Sequence, residues 1–184
     1  MAEVMRDLYR DHRNMAKLLK VLERQLEVFE ESGQPDYDVI RGVLEYCTSY
    51  PDICHHPKED LVLDALRARD PAAAERVGDL DKDHEELAAQ TAQFLAQVHR
   101  VLAGAELPRD WVDDVARDFL ESYWSHMAME EEVFFPLAEE TLAAEDWAEI
   151  DAKLGDKDDP LFGEKVEQRF RELREQILDW DRAV

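Results

Sequence analysis

Basic residues are scarce in this chain. Against 45 Asp and Glu stand 22 Lys and Arg, which leaves a formal net charge of -23. Such a charge repels nucleic-acid backbones and anionic membranes, and it draws cations. No apolar stretch approaches the roughly 18 residues that a membrane-spanning helix needs. The opening residues, MAEVMRDLYRDH, lack the apolar region of a signal peptide. The expectation is therefore a cytoplasmic protein with neither nucleic acid nor membrane as partner, and nothing points to a protein partner. Cysteine is nearly absent. Cys47 and Cys54 sit seven apart in an apparent helix, about 10 Å along its axis, whereas a disulfide needs Cα atoms within about 7 Å. They read as two free thiols in a reducing compartment. Glycine is also rare, at 6 residues, and β-branched runs are few.

What is present is helical periodicity. Apolar residues recur at spacings of three and four. Leu8, Met15, Leu18, Leu19, Leu22, Leu26 and Phe29 outline a first helix over about 3–31. SGQPDYD stops it, and Pro35 and Asp36 suit a new helix start. A second helix over about 36–68 carries Pro51 and Pro57, each of which should kink or loosen it. Asp70 and Pro71 form a cap and first turn for a third helix over about 71–103. GAELPRDW breaks the chain before a fourth helix over about 109–142, with Pro136 near its end. A short helix over about 143–154, a loop over 155–163 and an amphipathic helix over about 164–180 complete the chain. That last helix carries Val166, Phe170, Leu173, Ile177 and Trp180, and it offers an apolar face for a second interface. The expected fold is all-α: an up-down-up-down four-helix bundle over about 3–142 with two additional C-terminal helices, the whole forming a single domain over 1–184.

Two of the histidines start the same pattern. His55 is followed four positions later by Glu59, and His126 by Glu130. Positions four apart share one helix face, so each pair can reach one metal centre. Antiparallel geometry supplies a second condition: residues at one height on neighbouring helices are equidistant from the turn between them. Taking 57 and 128 as the pair centres, the midpoint of 12 and 57 falls inside SGQP. The midpoint of 57 and 84 falls between Asp70 and Pro71, and that of 84 and 128 falls inside GAELP. All three are turns already placed from breaker residues. His12, His55, Glu59, His84, His126 and Glu130 therefore belong in one layer. Four imidazoles and two carboxylates suit two ions, each taking two histidines, with the glutamates between them to neutralise charge that is costly to bury. The donor set suits iron, manganese or zinc, and no cysteine falls in the layer.

The order of elements resembles the hemerythrin-like family, the HHE cation-binding domain: His12, then His55 to Glu59, then His84, then His126 to Glu130. YPDICHHPKEDL (50–61) and HMAMEEEVFFP (126–136) look like its signature segments. The resemblance covers about residues 5–142. It implies a non-haem centre of two iron ions, bridged by Glu59 and Glu130 and by an oxo or hydroxo group. Two departures stand out. Oxygen-carrying members have a second histidine on the third helix, where this chain has Leu80 and Ala88 on either side of His84. They also place an aspartate five residues after the last histidine, where this chain has Glu131, which makes Glu131 the rival of Glu130 as ligand.

Other residues read more plainly. His56 lies about 100° around the helix from His55 and faces a neighbouring helix or solvent, with an outer role open. His99, some 22 Å along the axis from His84, is a surface residue. Trp124, Met127, Met129, Phe134 and Phe135 read as core. Phe119, Tyr123, Val133 and Phe134 lie where they can wall an open metal position, and Tyr9 and Tyr123 are near enough to donate hydrogen bonds or relay electrons. The acidic runs 130–132 and 156–159 read as solvated surface apart from Glu130. The functional expectation is binding or sensing of dioxygen or nitric oxide, or detoxification of reactive oxygen and nitrogen species, including peroxide consumption. The competing expectation is a structural or signalling bundle that holds a metal without turnover.

Overall fold

The computed structural model describes residues 1–31, 33–106, 108–155 and 159–183; of residues 109, 110 and 178–183 only the backbone is described. The elements are α1 (Glu3–Glu30), α2 (Tyr37–Cys47), a π-helical turn (Pro51–His55), α3 (His56–Arg69), α4 (Pro71–Glu75), α5 (Leu80–Leu102), α6 (Arg109–Met129), a second π-helical turn (Glu130–Phe134), α7 (Phe135–Thr141), α8 (Ala144–Asp151), a 3₁₀ turn (Gln168–Phe170) and α9 (Arg171–Ala183). No strand occurs among the described residues, and the fold is all-α. α1 packs against α2, α2 against α5, α5 against α6, and α6 back against α1.

The caps act as the sequence implies. Asp36 accepts from the backbone N–H groups of Asp38 and Val39, and Asp70 from those of Ala72 and Ala73. Three stretches differ from expectation. The 36–68 helix divides into α2 and α3 at residues 48–50 and continues through a π-turn. The 71–103 helix divides as well, because Gly78 adopts φ 89° and ends the short α4 region; Asp79 then caps α5 through the Lys82 N–H. The last helix begins at Arg171 rather than near residue 164.

The prolines explain the two π-turns. Each π-turn ends two residues before a proline, Pro57 after the first and Pro136 after the second. A proline lacks the N–H that would bond the carbonyl four residues back, and its ring clashes with that carbonyl. Those carbonyls belong to Ile53 and Glu132, inside the π-turns. One extra residue per turn relieves the clash and lets the helix run on.

The apolar core comes in two parts. One packs Met15, Leu18, Leu22, Leu44, Phe94 and Phe119. The other packs Met5, Leu8, Leu63, Leu66, Leu80 and Phe135. Along α1 the division falls between Leu8 and Met15, at Asp11 and His12; along α5 it falls between Leu80 and Leu87, at His84.

The C-terminal segments are tied to this frame. Asp151 of α8 accepts from the N–H groups of Glu3 (3.2 Å) and Val4 (3.0 Å) and so caps α1. Tyr46 donates to Asp159 at 2.9 Å, and Arg174 donates to the carbonyls of Leu161 and Gly163. Phe170, Leu173 and Ile177 are buried in the first core and Val166 packs on it. The apolar face expected to be available for a second interface is thus spent inside the molecule; the Trp180 side chain lies outside the described residues. α9 approaches closely at Gly42, where an added Cβ would sit 3.4 Å from Leu173 Cδ2. Leu173→Ala should lower the unfolding free energy by roughly 2–5 kcal/mol in urea titration, as for other buried leucines. An unchanged midpoint would mean that Leu173 does not belong to this core.

Candidate metal centre

Between the two apolar cores lies a polar layer with almost no access to water. His12, Glu59 and Glu130 are fully buried, and His55 and His84 nearly so. His126 completes the set, its side chain 8% exposed. All six residues of the sequence-derived layer are brought together. His55 Nε2 lies 3.0 Å from Glu59 Oε1, and His126 Nε2 lies 3.1 Å from Glu130 Oε1. His12 Nε2 lies 3.2 Å from Glu130 Oε2. His84 Nε2 faces both carboxylates, 3.4 Å from Glu59 Oε2 and 3.6 Å from Glu130 Oε1. The layer survives the breaks in the second and third helices, which fall at residues 48–50 and near Gly78.

These contacts lack hydrogen-bond alignment. His12 Nε2, His84 Nε2 and both oxygens of Glu59 and Glu130 are buried without a hydrogen-bond partner. Six polar atoms left so in one place cost free energy, on the order of 1–3 kcal/mol each and more when charged. A cation among them would satisfy all six. Ligand atoms of His12, His55, Glu59 and Glu130 lie within 4.8 Å of one another, and so do those of His56, His84 and His126. Imidazole and carboxylate together fit iron, manganese or zinc.

Outer partners hold the imidazoles in place. His12 Nδ1 lies 2.9 Å from Glu131 Oε1, so with the carboxylate as acceptor Nδ1 carries the proton and Nε2 presents its lone pair inward. Glu130 points both oxygens into the layer, while the 45% exposed Glu131 grips the back of His12. His55 Nδ1 faces Asp11 Oδ2 at 3.5 Å, and Lys58 Nζ donates to that oxygen at 2.7 Å. Asp11 and Lys58 escaped the sequence reading although each directly precedes a layer residue. A neighbour in sequence points about 100° away on a regular helix, so only the packed structure shows it reaching around.

His56 sits deeper than its helical position implies. Its ring stacks on His84, centroids 3.7 Å apart and planes 8° apart, and its Nδ1 lies 3.2 Å from Asp52. Tyr123 donates to Met15 Sδ at 3.3 Å, and Tyr9 packs edge-on against Phe135, which also lies against His12. Phe119, Phe134 and Phe135 are core, as is Met127; Trp124 donates to Glu23. His99 is exposed. Cys47 and Cys54 are buried and form no disulfide.

Charge in the layer is mutually dependent. Burial pushes the Glu130 carboxyl up, but the close imidazoles of His12, His126 and His84 hold it well below the usual carboxylate range. Glu59 is likewise pushed up by burial and by Glu130, and is brought below normal by His55 and His84. In return, burial pulls His55 down while Glu59 and Asp11 raise it to about 10. His84, opposed by burial and raised by both glutamates, stands at about 9. Burial and the neighbouring His84 push His56 down to about 3, which keeps that ring neutral.

Two predictions follow from this balance. An unfolded histidine titrates near 6.5, so the His55 and His84 ion pairs stabilise the metal-free fold fully below that pH. Their contribution is lost as pH rises through about 9 and 10. A metal needs the neutral rings, so its binding releases protons and strengthens over the same window. The thermal midpoint without metal should fall from pH 6.5 to pH 10, the gain on adding metal should grow, and a gain flat with pH would contradict the assignment. The glutamates are separated by substitution: Glu131→Ala should weaken metal binding about 10–100-fold, as for outer partners of ligands, whereas Glu130→Ala should cost far more in the same chelator competition.

A model of the hemerythrin HHE cation binding domain matches residues 4–138, a span that holds every residue of the layer. Neither the curated proteins nor the solved structures show a match to the chain. No helix among the described residues is long and apolar enough to cross a membrane. The match covers well over half of the chain and coincides with the buried histidine–glutamate layer: the chain belongs to the hemerythrin HHE cation-binding domain family.

Proposed function

We propose that the layer holds two iron ions and that the protein binds or consumes a small oxidant or diatomic ligand: dioxygen, nitric oxide or peroxide. In this reading His12 and His55 hold one ion, His84 and His126 the other, and Glu59 and Glu130 are shared between them. Bound iron would supply electron exchange with the small molecule.

The observation that carries this reading is a cavity beside the layer. Its volume is about 20 Å³, and its lining includes His55, His84, His126 and Glu130 together with Met15 and Tyr123. That is room for about one water-sized molecule. An organic substrate does not fit. Met15, Tyr123 and Met127 make one wall apolar and limit water, while Leu87 and Ala88 form the α5 side. Val133 and Phe134, expected among the walls, do not line it; nor does Phe119.

The test begins with metal content of untagged protein. Two irons per chain are expected, with a visible absorption that changes on exposure to dioxygen or nitric oxide, or rapid peroxide loss that disappears in Glu59→Ala. One zinc per chain, or a well-folded protein without metal, would replace this reading with that of a bundle whose buried cluster serves only to join its helices.

A further inference from the structure

We propose that His56 is a fifth histidine ligand, completing the ion held by His84 and His126; this rests on the two-ion reading above. Without it each ion has two imidazoles and a share of the two glutamates. One half has His12 and His55. The other has His84 and His126, and α5 offers no further donor near them, because Leu80 is buried in the apolar core and Ala88 lines the cavity. The geometry supplies a donor from α3 instead. Nitrogens of His56, His84 and His126 lie within 4.8 Å of one another.

Two features make His56 suited to this role. The Nδ1 of His56 lies 3.2 Å from Asp52. A carboxylate at that distance favours the proton on Nδ1 and leaves Nε2 as the metal-binding nitrogen. The ring also lies against that of His84, with its side chain 16% exposed. The His56 and His84 planes lie 8° apart; an ion shared by the two would require the His56 ring to turn about its own side-chain bonds.

The consequence is an unequal pair of ions. The ion of His56, His84 and His126 would carry three imidazoles, and that of His12 and His55 would carry two. The cavity is lined by His56, His84 and His126 as well as by His55.

The experiment uses the full chain loaded with cobalt(II), whose unpaired electrons shift the proton resonances of bound imidazoles. Wild type should take up two ions and show five strongly shifted, exchangeable imidazole N–H signals. His56→Ala should show four and bind its second ion more weakly by over 100-fold, beyond the roughly 10–100-fold that losing an outer partner costs. Added imidazole should restore that affinity. His99→Ala, at an exposed position on α5, should retain all five. Circular dichroism of both variants checks that the fold is kept. Two bound ions with only four signals in wild type, or an unaltered second ion in His56→Ala, would overturn the assignment of His56 and leave the two-ion reading intact. Fewer than two ions in wild type would overturn both.

Discussion

Two glutamates with no exposure to water, side by side across a helical bundle, set the terms for the rest of the structure. Glu59 and Glu130 raise one another's cost through like charge, and burial adds to it. Taking even one carboxylate out of water costs several kcal/mol unless it is paired. Each of the four surrounding histidines comes within ion-pair distance of at least one of them. The unsatisfied oxygens show that these histidines do not complete the job, which is the chemical signature of a cation site.

The fold is arranged around that layer. It cuts the apolar core in two, and each half does its own packing: Met15, Phe94 and Phe119 on one side, Leu8, Leu66 and Phe135 on the other. The two cores act as clamps that hold the layer's height on each helix. The prolines contribute as well. Pro57 and Pro136 each follow a π-turn that adjoins a histidine–glutamate pair, so the local widening of the helix occurs beside the ligating turns. π-turns in helices are often found at functional sites, and here the proline that provokes each one is visible.

The outer partners give the layer its direction. Glu131 behind His12, Asp11 behind His55 and Asp52 behind His56 each set a carboxylate near the far nitrogen of an imidazole. The hydrogen bond to Glu131 fixes which nitrogen of His12 keeps its proton and so which one is offered inward. Part of the chain's acidic excess therefore has local work to do. Burial pushes the Asp11 carboxyl up, but His55 and, after it, Lys58 hold it below its ordinary value.

Much of this was legible in the sequence because helices obey simple arithmetic. The spacing of four joins His55 to Glu59 and His126 to Glu130 whatever surrounds them, and equal distances from the turns place His12 and His84 at the same height. The helical breaks at Asp36 and Asp70 follow from capping chemistry that is local to a few residues. Tertiary structure alone decided what depends on neighbours distant in sequence. It turned Glu131 to the back of His12, drew His56 against His84, and folded Leu173 onto Gly42 so that the last helix joined the core. It also set the width of the cavity. Periodicity fixes the face on which a side chain leaves its helix; which partner it meets, and how much water remains there, is settled only when the helices pack.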